Sequence, residues 1–257
     1  MKHSQDVRNL IYVHVNHSDQ YVVSHGLQFK EFMSGVPKLP GKLLLLQHRF
    51  EDGEFNRHTL LEYVGDEEID KLLKEEVHQY GGFCWLDFED EESLDQLEGQ
   101  EIAELLYLSH SKSHLRLPFY RKLNNQFAYL AQDDGWFNKT YYRSMDDFYG
   151  VLGTALSHKL SSFKGEKSFL GLKKRKDYPV MPKEILYPFI EDMKEGLLFS
   201  IEKAEQSRTK IEIPIWVIGD FVNMDEMYEE YQNITANPLD GKIVFDRKTK
   251  EWKVFVK

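Results

Sequence analysis

Only one cysteine, Cys84, occurs among the 257 residues, which excludes an internal disulfide and a cysteine-based metal finger. It stands in the apolar run Phe83-Cys-Trp-Leu. A catalytic thiolate needs an electropositive, partly exposed setting, so this cysteine is expected to be structural. Long hydrophobic runs are missing as well. No stretch approaches the roughly 18–20 residues of a membrane span, and Leu10–Val15 is too brief for a secretory signal core. The Gly-x-Ser-x-Gly elbow, the phosphate-binding P-loop and the Gly-x-Gly-x-x-Gly fingerprint are all absent, which removes the commonest local signals of hydrolases and nucleotide enzymes. Internal repeats and low-complexity tracts are lacking too. The expectation is a soluble cytoplasmic protein with no membrane partner and no cofactor.

Aromatic residues, by contrast, are plentiful: 17 Phe, 14 Tyr and 4 Trp in a chain that is 41% hydrophobic. Such a chain can bury a substantial core, and wholesale disorder is excluded. The net charge of −10 conceals a strong segregation. Residues 1–65 balance at 7 basic and 7 acidic, whereas residues 66–104 hold 2 basic against 15 acidic. Residues 105–176 reverse this with 13 basic against 5 acidic, and residues 177–257 hold 11 against 16. Blocks of this kind act as solvated faces, as complements of one another, or as interaction surfaces.

The hydrophobic pattern alternates between strand and helix periods. Leu10–Val15, Tyr21–Ser24, Leu43–Phe50 and Phe83–Phe88 read as strands. Asp66 opens a helix through Ile69, Leu72, Leu73, Val77 and Tyr80, which Gly81-Gly82 ends. An acidic connector leads to a second helix over Gln100–Ser111, with Ile102, Leu105, Leu106 and Leu108 facing inward. Gln126–Leu130 and Asn138–Arg143 form a hairpin through Asp133-Asp134-Gly135. Ser144 then caps a helix reaching about Phe163, with Asp146 and Asp147 placed where the helix dipole favours anions.

Farther along, the spacing of Ile185, Leu186, Phe189, Ile190, Met193, Leu197 and Ile201 predicts a long helix over Pro182–Gln206, bent near Pro188. Ile211–Ile218 reads as a strand that tolerates Pro214 only at an edge or irregularity. A short helix, Met224–Tyr231, precedes a hairpin of Lys242–Phe245 and Trp252–Val256. The fold class is α+β, with mixed strands and helices, an α/β-like N-terminal half and a C-terminal β-hairpin. The organisation expected is a mixed region over 1–163, a loop or linker over 164–182, and a helix with strands over 183–257.

Several constellations could carry chemistry. His110 and His114, four apart at a helix end, would share a face and could bind one metal, although Ser111 stands where a zinc protease needs glutamate. His14, His17, Asp19 and His25 lie across the first strand pair, and Asp87, Glu89 and Asp90 follow a strand where carboxylates could hold Mg²⁺. Glu251-Trp-Lys253 with Asp240 or Asp246 faintly suggests a nuclease, a pattern expected several times by chance. In the basic block, Arg116, Tyr120, Arg121, Lys122 and Arg143 form the candidate binding surface, and Lys173-Lys174-Arg175-Lys176 adds four cations. Cations neutralise phosphates and aromatic faces stack bases, so this composition also suits single-stranded nucleic acid.

The order within Phe127–Leu156 is strand, acidic turn, strand, then Ser144-Met-Asp-Asp-Phe148 opening a helix. It resembles the closing part of SUKH-type immunity and regulatory domains, without the Leu-Pro and Asn-Gly-Gly elements that lead into it there. No function is carried across from that resemblance. The functional expectation is a binding or regulatory protein without catalytic activity, acting through its charged surfaces on a protein partner; the basic surface around Arg116–Lys122 is expected to contact an acidic partner or the protein's own 87–104 segment. The alternatives are a metal-dependent hydrolase using His110 and His114, and a single-stranded nucleic-acid-binding protein.

Overall fold

The computed structural model describes residues 6–75, 81–110, 118–132, 136–163, 178–234 and 236–257. The chain divides into two units whose segments interleave: one comprises Met1–Asn16, Val23–Pro37 and Asp146–Lys257, the other His17–Val22 and Lys38–Met145. Most of the expected 164–182 linker lies outside the described residues. Its last residues, 178–182, belong to the first unit.

The second unit is built on β3 (Lys42–Gln47), β4 (Glu54–Phe55), β5 (Glu62–Val64), β6 (Phe83–Phe88), β7 (Phe127–Gln132) and β8 (Phe137–Tyr142), in the spatial order β8-β7-β6-β3-β5-β4. The centre of that order is occupied by the most continuously apolar runs. Four consecutive leucines of β3 and all six residues of β6 are buried, as strands covered on both faces require. β7 and β8, the expected hairpin strands, pair antiparallel, with Phe127 opposite Tyr142 and Gln132 opposite Phe137. Three short helices are added: α2 (Asp66–Leu72), α3 (Glu92–Asp95) and α4 (Gly99–His110). Leu105 and Leu108 of α4 join Leu44, Leu86, Leu94, Leu130 and Tyr141 in one core. Leu106 does not; it is exposed beside Tyr107, because inward positions on a helix recur at three and four residues. Of the helix expected from Asp66, the turn to Leu72 forms, while Val77 and Tyr80 lie outside the described residues.

The loop joining β4 to β5 is organised by one side chain. Asn56 is buried; its Oδ1 accepts the N–H groups of His58 (3.1 Å) and Thr59 (2.8 Å) and the Thr59 hydroxyl (2.9 Å), while its Nδ2 donates to Asp95 (2.7 Å). Leu60 follows at φ 59°, a left-handed conformation, with its N–H donating to the Asn56 carbonyl at 2.9 Å. Asn56→Ala strands a buried N–H and is expected to lower stability by about 2 kcal/mol. Urea denaturation should show this as a lower midpoint, and an unchanged midpoint would mean that the loop holds its shape without Asn56.

The first unit contains β1 (Leu10–Asn16), β9 (Leu197–Ser200), β10 (Glu205–Gln206), β11 (Lys210–Val217), β12 (Gly241–Asp246) and β13 (Glu251–Val256), in the order β13-β12-β11-β9-β1, with β10 paired to β11. β2 (Tyr21–His25) is divided between the units. The helices of the first unit are α1 (Phe29–Gly35), α5 (Met145–Ser162), α6 (Ile190–Lys194) and α7 (Met224–Ile234). α5 starts immediately after Ser144, carries Asp146 and Asp147 in its first turn, and is buried around most of its circumference.

Two expectations are corrected. The long helix over Pro182–Gln206 does not form. The segment makes two 3₁₀ turns, the five-residue α6, and then β9 and β10. Gly196 interrupts it at φ 90°, yet Leu186, Phe189, Met193, Leu197 and Ile201 are all fully buried. Helical spacing is thus satisfied by burial in another conformation. The α/β-like half is also absent, since the pairings β3–β5, β3–β6, β6–β7 and β7–β8 are all antiparallel. What stands is mixed α and β content dominated by antiparallel strands. Pro214 lies opposite Lys242 where β11 changes its other neighbour, from β10 at Ile211–Glu212 to β9 at Ile215–Val217. No helix among the described residues is long and apolar enough to cross a membrane.

Candidate functional site

The acidic and basic blocks of the sequence meet on the second unit. α3 is opened by Asp90, whose Oδ1 accepts the Ser93 N–H at 2.8 Å, and α4 by Glu101, whose Oε2 accepts the Glu98 N–H at 2.8 Å. These bonds explain why a stretch so rich in carboxylates starts helices: side chains near a helix N-terminus satisfy otherwise orphaned donors. Into the same corner comes Lys122, whose Nζ donates to Glu101 at 2.6 Å and to the Gln96 carbonyl at 2.9 Å, with Glu98 at 3.7 Å. The Glu98 N–H and Lys122 together hold the Glu101 carboxyl below the ordinary glutamate range. Glu91 is likewise held low, by Lys42 at 3.0 Å and the Tyr63 hydroxyl.

The other expected binding residues take different roles. Arg121 is exposed. Arg143 donates to Asn124 Oδ1 at 3.1 Å and lies over the Phe119 ring, 5.6 Å from its centroid. Asn124, at φ 51°, in turn donates to Glu89 at 3.0 Å. Tyr120 is buried in the core, and its N–H donates to Asn125, so its ring offers no open face for stacking. Arg116 and His114 lie outside the described residues, as do residues 173–176. His110 is the last residue of α4.

The basic block is therefore largely engaged within the protein. Of its five described cations between residues 105 and 163, Lys122 and Arg143 are held as above. Lys139 sits 4.0 Å from the Tyr21 ring centroid, and buried Lys159 pairs with Glu31 at 3.1 Å. Only Arg121 is left as an exposed cation among them. In the acidic block ten of the fourteen described carboxylates are exposed, several of them while accepting hydrogen bonds from the protein. Lone surface ion pairs contribute little to stability, so this imbalance matters for the surface more than for the fold.

Asp87, Glu89 and Asp90, a possible cation site in the sequence, diverge in the structure. Asp87 is buried and accepts the N–H groups of Gln126 and Phe127 at 2.8–2.9 Å, fixing the start of β7, while Glu89 meets Asn124 and Asp90 caps α3. Burial pushes the Asp87 carboxyl up to about 6 in spite of those bonds. Asp240 and Asp246 also serve the main chain, accepting from Val217 and from Lys248 and Thr249. Cys84 is fully buried, and burial raises its thiol well above the ordinary range. No set of three His, Cys, Asp or Glu residues able to hold a metal occurs among the described residues.

A separate polar cluster in the first unit was not legible in the sequence. Tyr12 and His14 share a face of β1, as strand residues two apart must. The Tyr12 hydroxyl donates to the Gly219 carbonyl and accepts the Phe221 N–H, both at 2.9 Å, and His14 Nδ1 lies 2.9 Å from Asp220. His25 is buried against the Phe221 carbonyl at 3.4 Å, and burial lowers its pKa to about 4. A carboxylate on Nδ1 orients an imidazole and leaves Nε2 as the proton acceptor. Here the pair also ties the 219–221 loop to β1, and the 206 residues separating His14 from Asp220 gave no local signal of it.

Of the order seen in Phe127–Leu156, the two paired strands and the helix are formed, with the strands in the second unit and nearly all of the helix in the first, while residues 133–135 lie outside the described residues. No family model matches the chain, and no curated protein or solved structure is significantly similar to it.

Proposed function

We propose that the chain is a binding or regulatory protein without catalytic activity, whose acidic face on the second unit engages a protein partner presenting basic side chains. The observation that supports this reading is the asymmetry between the two charge blocks. Lys122, Lys139, Arg143 and Lys159 are half-buried or buried, whereas Glu89, Asp90, Glu91, Glu92, Asp95 and Glu98 stay exposed on and around α3 even where they accept hydrogen bonds. Leu106 and Tyr107, 44% and 65% exposed on α4, add an apolar element to the same unit. Carboxylates of one sign steer a complementary surface, and an exposed aromatic supplies contact area.

The test is binding of a Lys/Arg-rich polypeptide, and of a single-stranded oligonucleotide, to the wild type and to Glu92→Lys/Glu98→Lys. Binding of the basic polypeptide that weakens with added salt and drops about tenfold or more in the double variant is expected. Equal binding by both proteins would refute the acidic-face reading. Preference for the oligonucleotide would favour the nucleic-acid alternative instead.

A further inference from the structure

We propose that β13 is a self-complementary edge, and that two copies of the chain join by antiparallel pairing of β13 with β13. This goes beyond the reading above and concerns a different surface on the other unit. β13 ends the strand order of the first unit, so among the described residues no strand covers its outer side. Its inner side is paired with β12 from Gly241 opposite Val256 to Asp246 opposite Glu251, and the Lys257 N–H continues the ladder to the Asp240 carbonyl at 3.0 Å. Main-chain groups alternate in direction along an antiparallel strand. Residues 251, 253, 255 and 257 therefore bond to the β12 side, and the N–H and C=O groups of Trp252, Val254 and Val256 point outward.

The side chains select one way of using that edge. With a two-fold axis at Val254, Val254 faces its own copy, Trp252 faces Val256, Lys253 faces Phe255 and Glu251 faces Lys257. The Val254 pair lies on the axis, and each of the other three occurs twice. The outward groups of Trp252, Val254 and Val256 then form the hydrogen-bonded pairs. Lys253–Phe255 and Glu251–Lys257 fall at the closer non-hydrogen-bonded positions, where cross-strand side chains interact most. Glu251–Lys257 is an ion pair and Lys253–Phe255 a cation on an aromatic face. Shifting the axis by one residue destroys the match: centred on Lys253, two lysines oppose each other, and centred on Phe255, Lys253 opposes Lys257. Of these three registers, only the one centred on Val254 avoids like charges, and it pairs the strand over its full length from Glu251 to Lys257.

Exposure agrees with this assignment. Phe255 is 51% and Val256 46% exposed, an apolar end to an edge strand that soluble proteins ordinarily blunt. A lysine-only edge repels a second copy, whereas this one carries both signs in self-complementary order. The area of a single strand pair is small, so the dimer is of the weak, concentration-dependent class.

Sedimentation velocity over a hundredfold concentration series tests the proposal. The wild type should shift from monomer to dimer as concentration rises. Val254→Pro removes an outward N–H and none of the β12 bonds, and proline is tolerated at such a position. It should weaken dimerisation about thirtyfold through loss of the two central bonds. Glu251→Lys, which sets lysine against Lys257, should also weaken it, and Glu251→Lys/Lys257→Glu should restore it. These exposed charge variants decide the matter if the proline variant misfolds. A monomer at every concentration, a dimer indifferent to Val254→Pro and to Glu251→Lys, or a double variant no better than the single one would each overturn the proposal.

Discussion

Gly196→Ala is expected to destabilise the protein by roughly 2–5 kcal/mol, the largest effect of any substitution considered. Gly196 adopts φ 90°, outside the range of other L-residues, and an added Cβ would lie 1.9 Å from the Gly219 carbonyl oxygen and 2.9 Å from the Tyr12 hydroxyl. Both neighbours are fixed: Tyr12 is fully buried and bonded to Gly219 and Phe221, and the Gly196 carbonyl accepts the Ile218 N–H at 2.9 Å. A methyl group can be accommodated only by driving the 219–221 loop away from β1, which separates Asp220 from His14. Gly219→Ala is the matching control. It too has positive φ, at 104°, but its Cβ would meet only the Phe221 ring, at 3.5 Å. Conformational strain alone, roughly 1–2 kcal/mol, is expected there. Urea denaturation of both variants measures the difference. Equal losses would show that the close approach between the two glycines is not what requires Gly196.

Acidification should act on the two units in opposite directions. His25 ordinarily titrates near 6.5, and burial lowers it to about 4. Above pH 6.5 neither the folded nor the unfolded form carries the proton. Between 6.5 and 4 only the unfolded form takes it up, so stability falls as pH falls through that window. Asp87 has the reverse sign. Burial raises its carboxyl from 3.8 to about 6, so between those values the folded form keeps a proton that the unfolded form has lost, and stability falls as pH rises. Each effect is on the order of 3 kcal/mol and largely masks the other in a whole-chain measurement. Single variants should unmask them. Asp87→Asn leaves His25, and denaturation midpoints should then fall steadily from pH 6.5 to 4. His25→Leu leaves Asp87, and midpoints should fall from pH 4 to 6. Identical pH profiles for wild type and both variants would mean that neither buried group titrates as its surroundings dictate.

Legibility in the sequence followed the range of the interaction involved. The β7–β8 pairing, the start of α5 after Ser144 and the C-terminal hairpin are legible from neighbours: an Asp-Asp-Gly sequence between two apolar runs, a serine before two acids, alternating apolar residues around Asp246–Lys250. α3, β4 and β5, at two to four residues, are too short for a period to accumulate. The segment 182–206 shows how periodicity misleads. Its apolar residues are buried as their spacing implies, but Pro188 and Gly196 interrupt the helix that spacing suggested, and the residues after Gly196 pair with β1 and β11 instead.

Composition by itself determined that the protein has an aromatic-rich core, that α and β elements mix, and that charge is segregated into blocks, because these depend on residue type and short-range order. Only the tertiary structure decided which charges remain at the surface. Lys122 reaches Glu101 across 21 residues, Asp87 reaches Gln126 across 39, and Tyr12 reaches Gly219 across 207. Such partners are chosen by the packing of whole elements, whose arrangement is settled by shape and burial rather than by proximity along the chain.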